Sequence, residues 1–324
     1  MATVAITGAG GYLGQRLIDH LERHDGCSRI LGTDRRQPLV RSSKLSFLQA
    51  DIRDASLLDY WKGQGVDTLV HLAFIVDPIH DEKAMYDINV NGTRNVLEIC
   101  EKLAIRHVIV ASSGTAYGAW PDNPLPLRED HPIRLFPPTL SYAHHKGLNE
   151  EHFAVFMKRR PEVVFNVVRP SIVYGPNVDN YLSRFLKVVP FVPLVDGNDP
   201  PLQLVHEDDV ARLFTLLIEK KVPGAFNVAG KGVLRLSELS AMVGKRTVRV
   251  PRGLTVPLAR ILWRLDLLLE APAGLIDYMC YPWVLDISRA RELLGFEPEY
   301  TTEQTARIMF KTHGYKIRVG NRAS

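Results

Sequence analysis

Short apolar runs rich in β-branched residues alternate with longer amphipathic segments through roughly the first half of the chain. The apolar runs predict strands, which we place at residues 4–7, 29–34, 45–49, 68–72, 108–111 and 163–168. The amphipathic segments predict helices at residues 11–23, 56–62, 82–103 and 141–159. Strands that alternate with helices form βαβ units. The pattern therefore predicts an α/β fold with a doubly wound, Rossmann-type parallel sheet.

The pattern changes after Arg169, where proline and glycine become denser and the segments shorten. We expect a dinucleotide-binding domain at residues 1–170. Residues 171–324 then form a smaller, mainly substrate-binding part, with some elements returning to the main sheet. A long proline-rich segment at 119–140 predicts a loop, and loops of that length in compact domains usually border a functional site.

Composition and charge narrow the class of protein. Hydrophobic content of 46% and charged content of 23% are ordinary for a globular chain, and the net charge of +4 is scattered along it. Cys27, Cys100 and Cys280 are far apart and lack metal-ligand spacing, which favours reduced thiols. The first strand begins close to the amino terminus and no run of 18 apolar residues occurs. We expect a cytoplasmic protein with no membrane insertion, no nucleic-acid partner and no metal.

The most apolar stretch is residues 254–269, whose leucines and isoleucine recur at helical spacing. Pro257, Arg260, Arg264 and Asp266 interrupt it. Three interpretations remain open for this stretch. It is a packed helix of the C-terminal part, a wall for an apolar substrate, or a docking surface for a membrane or a partner.

Glycines at three-residue spacing follow the first predicted strand and open the first predicted helix. In the segment Gly8-x-x-Gly11-Tyr12-Leu13-Gly14 they allow a tight turn and a close approach of the backbone to a pyrophosphate. The spacing is one residue longer than the usual Gly-x-Gly-x-x-Gly fingerprint. Its position between strand and helix predicts a dinucleotide site at the helix amino terminus.

Acidic residues close the next two strands. Asp34 should accept hydrogen bonds from the adenosine ribose and repel a 2′-phosphate, which favours NAD over NADP. Arg35 follows it and would attract that phosphate instead. Asp51, with Ile52, is placed to contact the adenine, or alternatively Asp51 caps the next helix.

Tyr142 and Lys146 are four residues apart and therefore share one face of a predicted helix. An ammonium held near a phenol favours the phenolate, so we expect the pKa of Tyr142 to fall toward neutrality. Such a tyrosine is a general acid or base for hydride chemistry. His144 and His145 lie on other faces, and we expect them at the surface or at an interface.

These motifs together resemble the extended short-chain dehydrogenase/reductases, in particular the NAD-dependent epimerase/dehydratase family. The resemblance covers about residues 3–230 in the order and spacing of that family. Its motifs are the segments 7–14, 51–52, 71–73, 89–93, 112–118, 142–146, 169–176 and 205–211.

The resemblance implies roles for individual residues. Tyr142 would be the general acid/base, Lys146 would bind the nicotinamide ribose, and Ser113 would hydrogen-bond the substrate oxygen. Leu72 and Ala73 would pass beside the cofactor. Members of the family commonly dimerise through two long helices, which here would be residues 91–103 and 141–159.

Departures from the family matter for the reaction. Gly114 and Thr115 stand where dehydratases and decarboxylases carry an acidic residue, which argues against both chemistries. Ile172 replaces an asparagine, and Leu202 replaces an arginine that clamps nucleotide diphosphates in many nucleotide-sugar enzymes. Arg184, Arg212 and Arg235 remain as possible substitutes.

The expected function is reversible hydride transfer between NAD and a small-molecule secondary alcohol or ketone. The alternative is a nucleotide-sugar 4-epimerase with the same Ser-Tyr-Lys triad and tightly held NAD. A remote alternative is a non-catalytic nucleotide sensor. In each case a homodimer is expected.

Overall fold

The protein is described here from a computed structural model, which describes residues 1–265, 272–315 and 317. The strands in chain order are β1 (Ala2–Thr7), β2 (Cys27–Asp34), β3 (Leu45–Gln49), β4 (Thr68–His71), β5 (His107–Ala111), β6 (Val164–Pro170), β7 (Ile172–Tyr174), β8 (Val192–Val195), β9 (Pro201–Leu202), β10 (Leu204–His206), β11 (Gly224–Val228), β12 (Leu234–Arg235) and β13 (Thr247–Val250). The helices are α1 (Tyr12–Glu22), α2 (Ser56–Trp61), α3 (Glu82–Tyr86), α4 (Gly92–Lys102), α5 (Ser141–Arg159), α6 (Tyr181–Val188), α7 (Glu207–Lys220), α8 (Leu236–Met242), α9 (Arg252–Arg264), α10 (Leu275–Cys280), α11 (Ser288–Leu294) and α12 (Thr302–Thr312).

The central sheet has seven parallel strands in the order β11-β6-β5-β4-β1-β2-β3. The chain starts in the middle, builds outward through β2 and β3, and then returns to the other side of β1. The carboxyl ends of β1 and β4 therefore flank a crevice at the point where the strand order reverses. The predicted doubly wound parallel sheet is confirmed.

Alternate residues of the strands pack into two cores, one on each face of the sheet. Val4 and Ile6 of β1 lie in the same buried cluster as Leu17 of α1. Ala5, between them, lies in the opposite cluster with Phe153 of α5. A parallel sheet covered on both faces needs near-continuous apolar strands, which is why the sequence pattern identified them.

The chain after residue 170 contributes to both parts of the molecule. Strand β11 pairs with β6 in the main sheet, with Phe226 opposite Val168. Leu213 of α7 and Ala290 of α11 join the core on the α1 face. The other strands form small two-stranded pairs, β7 with β10, β8 with β13 and β9 with β12.

The single helix predicted over residues 82–103 is wrong in detail. The structure has α3, a π-helical turn at Asp87–Asn91, and then α4. In this turn the side chain of Asn89 accepts a hydrogen bond from the amide of Ile75 at 2.8 Å and donates to the carbonyl of Ile75 at 3.1 Å. The turn therefore ties the helix to the segment that leaves β4. The spacing of apolar residues cannot predict such a side-chain bond to the backbone.

The apolar stretch predicted at 254–269 falls largely on α9, and residues 266–269 lie outside the described residues. No residue of α9 is fully buried, and Val256 and Ala259 pack partly buried against Val195, Ile276 and Cys280, so the helix is packed along one side. Within the described ranges, no helix combines the length and apolar character needed to cross a membrane.

Candidate active site

A cleft of about 720 Å³ opens at the carboxyl ends of the central strands. It brings together every site residue that the sequence predicted, both those expected to bind the cofactor and those expected to be catalytic. The lining includes Gly8, Gly11, Tyr12, Leu13, Gly14, Asp34, Arg35, Asp51, Ile52, Leu72, Ala73, Ser113, Tyr142 and Lys146.

The glycine turn forms a backbone cradle in which side chains would not fit. A Cβ on Gly8, where φ is +75°, would lie 2.6 Å from the amide nitrogen of Ala73. A Cβ on Gly14 would lie 2.1 Å from the carbonyl oxygen of Gly8. Gly11, the N-cap of α1, makes no side-chain capping bond, and the first turn of α1 has no acidic residue. No side chain caps the amides at this helix end, and the cradle fits a dinucleotide pyrophosphate.

Tyr12 fixes this turn to the C-terminal part. Its hydroxyl donates to the carboxylate of Glu207 at the start of α7, which also accepts from the amide of Asn177 at 3.2 Å. Burial and the Glu207 charge raise the pKa of Tyr12 well above its usual value, so the hydroxyl stays protonated. Tyr12 is therefore neutral, and its proton is committed to Glu207, which holds the ring in a fixed position at the cleft.

Asp34 ends β2 beside the turn. One carboxylate oxygen accepts from the amide of Gly10 at 3.1 Å, and the other accepts from the amide of Arg36 at 2.9 Å. The side chain of Arg35 is exposed, with its Nε 3.9 Å from a carboxylate oxygen of Asp51. The carboxylate of Asp34 and the guanidinium of Arg35 are both present at this edge of the cleft.

Asp51 is not the cap of the following helix. The N-cap of α2 is Ala55, which makes no side-chain cap. The carboxylate of Asp51 instead accepts from the amide of Arg53 at 3.0 Å and pairs with the Arg53 guanidinium at 2.8 Å. Hydrogen bonds from Arg53 lower the pKa of Asp51, so a charged acceptor lines the cleft.

Tyr142 and Lys146 lie in the first two turns of α5 and both face the cleft. Lys146 is only 4% exposed, and its Nζ donates to the carbonyl oxygen of Ala111 at 2.7 Å. The same nitrogen lies 3.5 Å from the ring centroid of Phe74 and 5.8 Å from that of Tyr142. Phe74 also makes an edge-on contact with the Tyr142 ring, with centroids 5.5 Å apart.

The direction that we expected for the pKa of Tyr142 is wrong in this structure. Burial raises the pKa of Tyr142, and a hydrogen bond with Ser113 opposes part of that rise. Lys146 does not offset it, because its ammonium is directed to Ala111 and Phe74. Burial lowers the pKa of Lys146 itself to about 7, against a raising effect of Glu150.

The two neighbouring serines after β5 have different surroundings. Ser112 also lines the cleft, but its buried hydroxyl donates to a carboxylate oxygen of Glu150 at 2.6 Å. Ser113 accepts from the amide and the hydroxyl of Thr115, at 3.1 and 2.9 Å, and bonds Tyr142. Ser113 rather than Ser112 is therefore the serine whose hydroxyl interacts with Tyr142 in the cleft.

A buried ion pair supports this wall of the cleft. Arg169 donates to both carboxylate oxygens of Glu150, at 2.8 and 2.9 Å, and also to the hydroxyl of Tyr117 at 2.7 Å. Because every charge in the group is hydrogen-bonded, its desolvation is largely compensated. The group links α5 to β6 directly beneath Ser112 and Lys146.

Two histidines near the site are buried and contact neighbouring side chains. His71 contacts the hydroxyls of Thr7 and Thr93 at 2.7 and 2.9 Å, and burial lowers its pKa to about 3. His145, which we expected at the surface or at an interface, is only 4% exposed within the chain, and its ring meets Tyr86 edge-on at 5.5 Å. The π-helical turn brings Tyr86 over this helix face, which the sequence pattern did not show.

Several lining residues escaped the sequence analysis because they come from the C-terminal part. This part contributes apolar and aromatic side chains, chiefly Val178, Tyr181, Leu182, Leu275, Tyr278 and Trp283. The Tyr278 hydroxyl donates to the carbonyl of Thr115 at 2.7 Å, which fixes its ring beside the serine turn. Phe74 was also missed, although it directly follows Leu72 and Ala73 and could have been found from its place after β4.

The three arginines that could replace the missing phosphate clamp each have a partner within the protein. Arg184 pairs with Asp77 at 3.2 Å and with Asp179 at 2.7 Å. Arg212 pairs with Asp209, and Arg235 donates to the carbonyl of Asp199 at 2.7 Å. None of the three is among the described residues that line the cleft.

Leu202 and Ile172 occupy the two positions that depart from the family pattern. Leu202 packs against the apolar cluster of the C-terminal part, while Ile172 lines the cleft. A second cavity of about 270 Å³ shares Leu140 and Tyr142 with the cleft, and α9 forms one wall through Arg260, Trp263 and Arg264.

Fold and site together define a dinucleotide-binding enzyme of the extended short-chain dehydrogenase/reductase type. The sequence profile of the NAD-dependent epimerase/dehydratase family matches residues 4–229. The chain belongs to that family, and NAD is its cofactor.

Similar proteins extend along nearly the whole chain. An uncharacterised protein of Mycobacterium tuberculosis is 29% identical over 318 residues, which are 96% of this chain and 84% of that protein. The UDP-glucose 4-epimerase of Thermotoga maritima, solved with UDP-glucose, has a TM-score of 0.73 and 20% identity, covering 96% of this chain and 98% of its own. The UDP-glucuronic acid 4-epimerase of Bacillus cereus, solved with NAD, has a TM-score of 0.71 and 19% identity, covering 96% and 99%. The two structures share the fold described above.

Proposed function

We propose that this protein catalyses reversible hydride transfer between NAD and a secondary alcohol or its ketone, with Ser113, Tyr142 and Lys146 as the reactive set. The observation that carries the proposal is the hydroxyl pair of Ser113 and Tyr142, which faces the cleft beside a buried lysine. Two hydroxyl donors can hold one substrate oxygen while a hydride is exchanged at its carbon.

The protonation of Tyr142 suits ketone reduction. Because the pKa of Tyr142 is raised, the phenol is neutral near pH 7 and can donate its proton to the oxygen of the new alcohol. In the reverse direction the phenolate accepts that proton. NAD, when bound, supplies the hydride acceptor and its reduced form supplies the donor.

Each part of the cofactor has residues that fit it. The glycine turn and the α1 amides would hold the pyrophosphate, Asp34 the adenosine ribose, and Asp51 with Ile52 the adenine. Lys146, beside Tyr142, would hold the nicotinamide ribose, and Leu72 with Ala73 would lie along the cofactor. The charged Asp34 favours NAD over NADP.

The character of the C-terminal wall supports a substrate with little negative charge. Among the described lining residues from that part there is no lysine or arginine, and Asp179 contributes a carboxylate. Asp77 adds a second carboxylate to the cleft. Both carboxylates are paired with Arg184, so the preference for hydroxyl-bearing or uncharged groups over a diphosphate rests on the aromatic and apolar side chains of this wall.

A nucleotide-sugar 4-epimerase is the second candidate. The solved relatives that act on UDP-linked sugars share the fold over nearly the whole chain, and the triad would be the same. A sensor without catalysis is disfavoured, because Tyr142 and Lys146 would then be retained without use. We further propose a cytoplasmic homodimer that pairs through α4 and α5, for which molar mass by light scattering is the test.

The nucleotide content of the purified protein separates the two enzymatic candidates. The protein is denatured, and the released nucleotide is identified and counted. An empty protein that binds added NAD and forms NADH with a secondary alcohol supports the dehydrogenase. About one NAD(H) per chain, together with interconversion of UDP-sugars and no net NADH, would replace it with the epimerase.

A further inference from the structure

Helix α9 is attached to the molecule along one side only. Val256 and Ala259 pack partly buried against the small cluster of Val195, Ile276 and Cys280. Trp263, on the same side, stacks on the ring of His80 with centroids 4.2 Å apart. This inner face holds the helix in place.

The opposite face of α9 is an apolar stripe in solvent. Leu254, Leu258 and Ile261, with Leu265 just after the helix, are 70%, 55%, 54% and 61% exposed. Their spacing of four, three and four residues sets them on one line along the helix. Single exposed leucines are common on protein surfaces, but four in one stripe form a continuous apolar surface.

This stripe lies in the most basic stretch of the chain. Residues 245–265 contain six lysines and arginines and no aspartate or glutamate. Because the net charge of the whole chain is +4, the remainder of the chain is net negative. Arg260 and Arg264 are exposed one turn apart on the flank of the stripe.

We infer that α9 docks on the surface of an anionic lipid bilayer. The leucine stripe would enter the boundary between headgroups and acyl chains, and Arg260 and Arg264 would meet the lipid phosphates. The positive charge of residues 245–265 favours an anionic bilayer as the partner of this surface. A symmetric pairing of two copies through the stripe would set the basic stretch against itself, and a nucleic acid would leave the leucines without a partner.

Docking would also place the bilayer close to Tyr142. The cavity that contains Tyr142 is walled by Arg260, Trp263 and Arg264 of the same helix. A bilayer beneath α9 would therefore lie next to the mouth of this cavity. The binding test below is independent of catalysis, so a failed activity assay does not affect it.

Vesicle flotation with the full-length protein tests the inference. We expect the protein to float with vesicles of phosphatidylcholine and phosphatidylglycerol, to float poorly with phosphatidylcholine alone, and to be released by high salt. Failure to float with anionic vesicles at low salt would overturn the inference.

Matched variants identify the surface responsible. Leu258→Glu with Ile261→Glu should abolish flotation, and Arg260→Ala with Arg264→Ala should weaken binding to anionic vesicles about tenfold or more. The control is Leu39→Glu with Leu125→Glu, two leucines that are 88% and 53% exposed elsewhere on the surface. This control should float like the parent protein.

Unchanged far-ultraviolet circular dichroism and NAD affinity would show that each variant is folded. Flotation that survives the α9 changes, or is lost equally in the control, would overturn the inference. So would light scattering in which Leu258→Glu with Ile261→Glu converts an oligomer to monomer, because a second copy would then cover the stripe.

Discussion

The Lys146 ammonium lies 3.5 Å from the ring centroid of Phe74 and, on its other side, donates to the carbonyl of Ala111 at 2.7 Å. Both contacts stabilise a charge that is buried with only 4% of the residue exposed. Burial nevertheless lowers the pKa of Lys146 to about 7, so the charged and neutral forms of this lysine are both populated near neutral pH. The ring of Phe74 is therefore part of the reactive site and not only a wall.

Replacing Phe74 with leucine should make Lys146 easier to deprotonate. A close cation–π contact stabilises the ammonium by about 0.5–2 kcal/mol, so its loss should lower the pKa by about one unit. We expect the alkaline limb of kcat/KM against pH to move to lower pH by a similar amount. Phe74→Tyr keeps a ring and should leave the limb in place. A limb that stays fixed in Phe74→Leu would show that this contact does not govern the lysine.

Lys146 should also make the stability depend on pH. Its pKa is lowered to about 7 from an ordinary value of 10.5. Between these values the unfolded chain binds a proton that the folded chain has lost, so stability rises with pH across this window. Relative to Lys146→Met, the free energy of unfolding should rise by about 1–2 kcal/mol between pH 7.5 and 9. Denaturant titrations at several pH values measure this, and parallel curves for the two proteins would refute it.

Much of the fold was predictable because the signals are local. Gly8 has a positive φ and a Cβ on Gly14 would meet the carbonyl oxygen of Gly8, so both requirements lie within one turn, and the strands of a covered parallel sheet are apolar throughout. Tyr181 and Tyr278 had no such signal, since they reach the cleft through the packing of the C-terminal part. The pKa of Tyr142 was mispredicted because its direction depends on where the Lys146 ammonium points, which the spacing of the two residues does not define.

Asp34 should control the choice between NAD and NADP. Asp34→Asn removes the negative charge and keeps one of the two oxygens that accept from the Gly10 and Arg36 amides at 3.1 and 2.9 Å. With Arg35 beside it, we expect the preference for NAD to fall roughly tenfold or more, as NADP binding improves. Titrations with both nucleotides measure the ratio. An unchanged ratio would remove Asp34 as the selector.

Substitutions of the two adjacent serines should affect catalysis and stability differently. Ser113→Ala should lower kcat by about 10²–10³, as expected for the loss of a donor to the reacting oxygen, and should lower the stability by about 1 kcal/mol because the Thr115 amide loses its cap. Ser112→Ala should lower the stability by about 1–3 kcal/mol, because Glu150 loses a buried hydrogen bond of 2.6 Å. Turnover and denaturant unfolding of both variants test this. The reverse pattern would assign the catalytic hydroxyl to Ser112.

The most direct test of the central claim compares the parent protein with Tyr142→Phe in NADH formation from NAD and a panel of secondary alcohols, with NAD affinity measured in parallel. Removal of the one hydroxyl should slow NADH formation by about 10²–10⁴ and leave the NAD dissociation constant within about twofold. The phenol would then be the proton donor and acceptor of a hydride transfer enzyme. Near-full turnover in Tyr142→Phe would contradict that assignment.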